Sequence, residues 1–501
     1  MSHRPRLMTK APARRSPAHR KRFDLVAAAR WEMIHEGFDP DFAPGTEQQV
    51  AALRARPAPT PGDEVKDLRD LLWSSIDNDT SRDFDQIEVA ERNGDHIRVM
   101  VAVADVDSDV PPGSPIDRHA AQETVTVYTA VRNFPMLPEE LSTDLTSLCE
   151  NQDRLAVVIE MLVDAEGNVG SSGIYRAIVR NKAQLTYNAT GAWLEGRSAP
   201  SPKVEASVEL QDQLKLQDEA ATALRAQRQR LGALDFERVE PVATIQDGDV
   251  RDVHPATKTR ANAIIEDFMV AANEVMARTL KDAGVSSIRR IVKTPERWPR
   301  IVELAGQHGE HLPADPDSAA LNAFLRKRRE ADPDHYEDIS LAVLKLMGPG
   351  EYVLSKPGDT GQGHFGLAAL DYTHSTAPNR RYADLVTQRL IKALLAKNPP
   401  PYADSALDSI ARNCTLKEDA ARKVERTMGK RVAAVAMHQR IGEMFAAIVT
   451  GVTPKGTFVR VLNPPVEGML CRGYEGLDVG DRIRVRLIDT DPERGFIDFC
   501  R

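Results

Sequence analysis

Cysteine is scarce in this 501-residue chain: Cys149, Cys414, Cys471 and Cys500 are scattered, and no two share a Cys-x-x-Cys spacing. That pattern argues against a zinc knuckle or a disulfide framework and fits reduced thiols, so a cytoplasmic location is expected. Long apolar runs are missing too. No run approaches the ~18 residues a membrane helix needs, and the basic N-terminus lacks the apolar core of a signal peptide, so neither a membrane partner nor export is expected. A surplus of positive charge is also absent. The net charge is −8 and the pI about 5.9, which argues against indiscriminate coating of nucleic acid. A nucleic-acid partner would have to be held by local basic patches and a metal.

Acid groups, in contrast, are dense in one place. The segment Ile76–Glu88 carries five carboxylates, Asp77, Asp79, Asp83, Asp85 and Glu88, between the apolar stretches Leu71-Leu72-Trp73 and Val99–Val103. Two unit charges ~4 Å apart at an effective dielectric of ~20 repel by about 4 kcal/mol. Such a group either points into water or surrounds a cation. Asp83 and Asp85 are two apart, so extended backbone puts both on one side and Phe84 on the other. Asp77 precedes them on a turn that can fold back over that side. Three converging carboxylates suit Mg²⁺, which binds through a few carboxylates, water and substrate phosphate. Asp77, Asp79, Ser81, Asp83, Asp85 and Glu88 also occupy the ligand positions of an EF-hand calcium loop. That match fails at Arg82, where the sharp turn needs glycine, and His96–Val106 reads as a strand instead of an exiting helix.

The length and pattern predict several domains in a multidomain α+β chain. Residues 1–22 hold eight arginines and lysines, no acid and three prolines, the composition of a disordered basic arm. Residues 23–68 read as a small helical module, possible in helix-turn-helix form, with helices over Phe23–Phe38 and from Thr46, its expected N-cap, to Arg54. A large body spans residues 69–444. Its expected strands are Val99–Val106, Val157–Val163 and Gly173–Val179, and its helices Ala261–Ala283, Tyr382–Leu395 and Lys417–Met444. In residues 445–501, short alternating strands separated by glycines suggest a small antiparallel barrel.

Within the body, Asp77-(x)5-Asp83-Phe84-Asp85-Gln86 resembles the acidic signature of the ribonuclease II / ribonuclease R (RNB) family of hydrolytic exoribonucleases. Further matches follow in the family's order: Ala104-Asp105-Val106, Tyr128 with Pro135–Ser142, Leu185-Thr186-Tyr187, Gly232–Phe236, Ile265–Met269, His364–Leu367 and Thr376–Asp384. The last segment looks like the S-one type of OB-fold RNA-binding domain. The resemblance implies a large RNB-type catalytic body that threads single-stranded RNA and releases nucleoside 5′-monophosphates processively from the 3′ end, acting as a monomer.

It also implies roles. Asp77, Asp83 and Asp85, with Gln86 beside them, are candidate ligands of one or two Mg²⁺ ions, with Mn²⁺ as the alternative, and Asp83 and Asp85 are candidate catalytic residues. Arg380 offers a planar fork to a phosphate oxygen. Tyr128, Tyr187 and Phe236 are implied to stack on bases, where a contact is worth ~1–3 kcal/mol, and Tyr187 and Glu266 to grip the 3′-terminal ribose. Phe458 and Arg460 are the barrel's candidates for stacking and phosphate contact, joined by Arg484 and Arg486. Two departures stand out. Gln86 occupies a position where bacterial members usually carry a fourth aspartate, and the front of the chain is helical where cold-shock-type barrels usually stand. A catalytically silent RNA-binding protein is the rival that Gln86 raises; the calcium loop is a second.

Overall fold

In chain order the strands up to residue 186 are β1 (Val65–Asp67), β2 (Ser74–Asp77), β3 (Gln86–Asn93), β4 (His96–Ala104), β5 (Val127–Tyr128), β6 (Asn133–Phe134), β7 (Asp153–Val163), β8 (Val169–Arg180) and β9 (Ala183–Thr186). In the computed structural model, which describes residues 23–501 apart from 58, 61, 63, 237–240, 247–248, 256–257, 362 and 455, β5 and β6 form a hairpin of their own. The other seven make one sheet in the order β1-β8-β7-β4-β3-β2-β9. The predicted basic arm over residues 1–22 lies outside the described residues.

Every residue of β4 from Val99 to Ala104 is buried, which requires cover on both faces of the sheet. Helices Val208–Arg230, Arg260–Asp282 and Tyr382–Leu395 supply Leu224, Ile264, Phe268, Leu385 and Val386 to the same core. Each such side chain contributes about 1.5–3 kcal/mol by leaving water. β3 and β4 run antiparallel with Gln86 opposite Val103, so the acidic segment is flanked by strands on both sides, β2 and β3. The helix–loop–helix of an EF-hand is therefore not what this segment forms.

At the front, helix α1 (Leu25–His35) is capped by Asp24, whose carboxylate accepts from the Val26 and Ala27 N–H groups. Helix α2 (Thr46–Arg54) begins at the expected residue, but its cap is Gly45 in the left-handed region (φ +92°), and Thr46 is the first helical residue. The two helices pack into different places. Val50 and Leu53 of α2 join the main core, whereas Leu25, Ala29 and Met33 of α1 share a cluster with Val127 and Phe134 of the β5–β6 hairpin and with Ala421, Val424, Met428 and Val432. Those last four belong to a 35-residue helix, Asp404–His438, which begins 13 residues before the expected Lys417.

That helix ends at the C-terminal barrel, a closed five-strand structure of Met444–Thr453, Gly456–Val461, Glu467–Arg472, Arg482–Asp491 and Phe496–Cys500. Ala434 and Met437 at the helix end belong to the barrel's own core, with Phe445, Val459, Leu487 and Phe499. At Gly495 (φ +70°) the barrel approaches the helix so closely that a Cβ would lie 2.9 Å from Lys430 Cβ and 3.1 Å from the Arg431 nitrogen.

Candidate active site

The acidic segment leaves the end of β2 at Asp77 and re-enters the sheet at Gln86. Phe84 is its inward plug: it is buried, its N–H donates to Ser147 Oγ at 2.9 Å, and its carbonyl accepts from the Leu148 N–H at 2.9 Å. Asp83 and Asp85 take the opposite side, as alternation requires. Asp77 Oδ1 accepts from the Ser81 hydroxyl and the Asn78 N–H, both at 2.7 Å. Asp83 Oδ2 accepts from the Tyr128 hydroxyl at 3.1 Å.

Asp85 is 2% exposed and fully engaged: Oδ1 accepts from the Asn379 N–H at 3.0 Å and Oδ2 from Arg380 Nε at 3.1 Å. Burial pushes its carboxyl up to about 6, with Asp83 adding to the rise; Arg380 and the Asn379 N–H oppose it. Burial raises Asp77 as well, again with a contribution from Asp83 and opposition from Ser81, Asn78 and Arg380. Asp77, Asp83, Asp85 and Arg380 thus share one electrostatic neighbourhood. Arg380 stays 42% exposed in its side chain while Nε is tied to Asp85, which leaves its two terminal nitrogens for a ligand. Behind it, Arg381 is held by two bonds to buried Asp384, at 2.7 and 2.8 Å, and Asp384 also accepts the Ala377 N–H at 2.8 Å. This clamp fixes the turn that carries Arg380.

The donor set fits a hard divalent cation in kind. Asp77 uses only Oδ1 and Asp83 only Oδ2 in hydrogen bonds, so each keeps an oxygen for an ion, and carboxylate oxygen is the ligand Mg²⁺ prefers. Among the described residues, however, no three His, Cys, Asp or Glu side chains converge closely enough to form a ready-made metal cage.

The other residues singled out in the sequence are distributed. Tyr128, 38% exposed, joins the site through Asp83, and its N–H donates to Glu425 Oε1 at 3.1 Å. Tyr187 opens the helix Tyr187–Leu194, and its carbonyl accepts from Thr259 Oγ1 at 3.2 Å. Its hydroxyl pKa is raised by burial and then by Asp77 and Glu88, which places it beside the acid segment. Glu266 lies on the helix Arg260–Asp282, 47% exposed in its side chain and 3.6 Å from Lys258. Its neighbour Asp267 is the buried one, held by Arg225 and Arg228. Phe236 packs against a separate apolar cluster that contains Trp298 and Tyr336. Phe458 and Arg460 share the outward face of the strand Gly456–Val461, and Arg460 pairs at 3.3 Å with Asp338 of the helix Pro333–Met347.

Several contributors were given no role from the sequence. Asn379 supplies the N–H that Asp85 accepts, while its side-chain oxygen accepts from Thr146 Oγ1 at 2.6 Å. Ser147 anchors both Phe84 and the Arg82 carbonyl. Asn379 and Asp384 sit inside the Thr376–Asp384 motif, which was the available signal; nothing in the sequence marks Ser147.

Comparison with known proteins places the chain in a family. Residues 65–397, most of the chain, match the RNB domain. The chain belongs to the RNB family. In this RNB protein residues 443–501 match the RNase II-type exonuclease C-terminal S1 domain, in agreement with the barrel. It is 29% identical over 530 residues to ribonuclease R of Aquifex aeolicus (strain VF5), covering 98% of this chain and 74% of that one. With ribonuclease R of Thermotoga maritima it shares 31% over 471 residues, 87% of this chain and 64% of the relative. Among solved structures, Mycoplasma genitalium RNase R in complex with ribose methylated single-stranded RNA superposes with a TM-score of 0.85 at 23% identity, over 95% of this chain and 78% of that one. Yeast Ssd1, a pseudonuclease, superposes with a TM-score of 0.71 at 20% identity, over 89% of this chain and 56% of that one.

Proposed function

We propose that the protein is a hydrolytic, processive 3′→5′ exoribonuclease that degrades single-stranded RNA to nucleoside 5′-monophosphates, acts in the cytoplasm as a monomer, and depends on Mg²⁺ or Mn²⁺. The observation that carries this reading is the fixed pair Asp85–Arg380, with Asp77 and Asp83 beside it, in a chain of the RNB family. Among the described residues no helix is long and apolar enough to cross a membrane.

Asp77 and Asp83 would hold the cation, with Asp85 and Gln86 next to them; when bound, a divalent ion polarises a phosphoryl oxygen and makes water a stronger nucleophile. The chain's own groups do the rest. Asp85 aims Arg380 by engaging Nε, so the terminal nitrogens face outward as a fork suited to the non-bridging oxygens of the scissile phosphate. Charge that develops there meets a donor already oriented, which is where preorganised electrostatics contributes most. The Tyr128 ring, held by its hydroxyl on Asp83 and its N–H on Glu425, presents a fixed surface to a base.

The test is a labelled RNA with a free 3′ end, incubated with Mg²⁺ or with EDTA. Stepwise mononucleotide release that EDTA abolishes is expected; internal cuts, or a need for inorganic phosphate, would refute the reading. Gln86 and the likeness to a pseudonuclease fold favour one rival, an RNA-binding protein without chemistry. It predicts RNA binding with no nucleotide release at any concentration of either metal.

A further inference from the structure

Three exposed aromatic side chains from three parts of the chain lie on elements that meet the helix Asp404–His438. Tyr128, on the β5–β6 hairpin, is tied to it through Glu425. Trp31, on α1 and 56% exposed, lies with its ring 6.0 Å from the Arg431 guanidinium. Phe496, also 56% exposed, follows Gly495, the residue at which the barrel touches Lys430 and Arg431. Glu425 and Arg431 are about 9 Å apart along the helix axis at 1.5 Å per residue.

Trp31 is no stray surface hydrophobe. It stacks on His35 with ring centroids 4.7 Å apart and planes 10° from parallel, so His35 backs one face of the indole and holds it in place on α1. Arg431 is held at this place by an ion pair to Glu32 at 3.1 Å. Both partners of that pair are nearly buried, so Arg431 fixes the indole, and an exposed indole is a surface that binds unpaired bases without regard to sequence. The platform is also continuous with the site. α1 shares its packing cluster with Val127 and Phe134, on either side of the hairpin whose Tyr128 hydroxyl bonds Asp83. The chain reaches α1 from a 22-residue stretch with eight arginines and lysines and no acid.

We propose that Trp31, stacked on His35, is a base-stacking platform for single-stranded RNA upstream of the 3′ end, lying on a track along the helix Asp404–His438 between Tyr128 and the barrel at Phe496. This deepens the functional reading above and rests on it, since it takes RNA as the substrate. It gives the helical front of the chain a task in the place where the family usually carries barrels.

The test uses the full chain carrying Asp85→Asn, so that bound RNA persists, with fluorescein-labelled oligoadenylates of about 5 and about 25 nucleotides, one near the lower end of a single binding module's footprint and one well above it. Trp31→Ala should weaken the longer RNA by about 5- to 10-fold and leave the shorter one unchanged, while Trp31→Phe keeps most of the longer RNA's affinity. Tryptophan emission gives a second reading: Trp73 and Trp298 are buried and Trp193 is half-buried, so the difference between the parent and Trp31→Ala isolates Trp31. The longer RNA should quench it, and the quench should shrink in Trp31→Ala. Equal affinity of parent and Trp31→Ala for the longer RNA overturns the proposal. So does a parent that self-associates through this face, with self-association lost in Trp31→Ala and RNA affinity unchanged. Failure of either RNA to bind the parent instead refutes the functional reading, which keeps the two apart.

Discussion

Replacing Asp85 with asparagine separates chemistry from folding, because the structure puts opposing energies on this one side chain. In the folded chain its carboxyl is pushed from 3.8 up to about 6. Near pH 7 the ionised form is therefore held at a cost of about 3 kcal/mol relative to the unfolded chain. Asparagine removes that cost. Its single carbonyl can accept from the Asn379 N–H or from Arg380 Nε but not both, so one donor faces an NH₂ group, a loss of about 1–3 kcal/mol. The two effects offset, and stability should change by less than about 2 kcal/mol. Arg380 nevertheless loses the anchor that aims its fork. Removing one preorganised electrostatic donor typically lowers turnover about 10²–10³-fold, and that is the drop expected here. Stepwise shortening of 5′-labelled RNA gives the rate, anisotropy of the same RNA gives binding, and urea unfolding gives stability. Turnover within about tenfold of the parent, in a variant that folds and binds normally, would refute the assigned role.

Other expectations concern neighbouring parts of the fold. Arg380→Lys keeps the charge but loses both Nε and the fork. It should be nearly as slow as Arg380→Ala, and added guanidinium should restore part of the activity of the alanine variant only, measured as nucleotide release. Arg389 is 2% exposed in its side chain and faces Asp107 at 2.9 Å and Asp117 at 2.8 Å. Arg389→Met takes the guanidinium from both, leaving Asp107 with Lys392 and Asp117 with the Gly113 N–H and the Tyr382 hydroxyl, and should cost up to about 3 kcal/mol in urea unfolding. At His364 acid works against the fold, opposite in sign to the gain from protonating Asp85. Burial, reinforced by Arg290, lowers His364 from 6.5 to about 4, and its Nδ1 accepts the Leu367 N–H at 3.1 Å. The folded value lies below the unfolded one, so this contribution is complete above pH 6.5 and is lost as pH falls towards 4, up to about 3 kcal/mol. His364→Gln should flatten that slope in a pH series of unfolding curves.

How much of this was readable from the chain differs by element. The helix Tyr382–Leu395 was located to the residue, because its apolar spacing is unbroken and Leu385, Val386, Leu390 and Ile391 are all buried. The helix Asp404–His438 was found 13 residues late. Its first half shows only Leu407, Ala411 and Cys414 to the core, and its cap position, Ala403, offers no side-chain signal. The expected end at Met444 ran past Gly442 (φ +99°) into the first strand of the barrel. The acid segment announced itself by charge density alone. What holds it did not, since Asn379 and Arg380 reach Asp85 from nearly 300 residues away. The pairing of Arg460 with Asp338 is of the same kind: nothing in a barrel strand tells which body helix it will meet.

The helix Asp404–His438 has a consequence for the size of what is left uncut. At 1.5 Å per residue the part of it from Glu425, which holds the Tyr128 hairpin beside the site, to His438 is a strut about 20 Å long, and its far end is built into the core of the barrel. A strand being consumed keeps hold of the barrel only while enough of it remains to cover the gap from there to Asp85. Below that length it is gripped at one point and not two, and departure competes with the next cut. The shortest remnant would then be measured out by a rod of protein, and lengthening that rod by whole turns should lengthen the remnant in step.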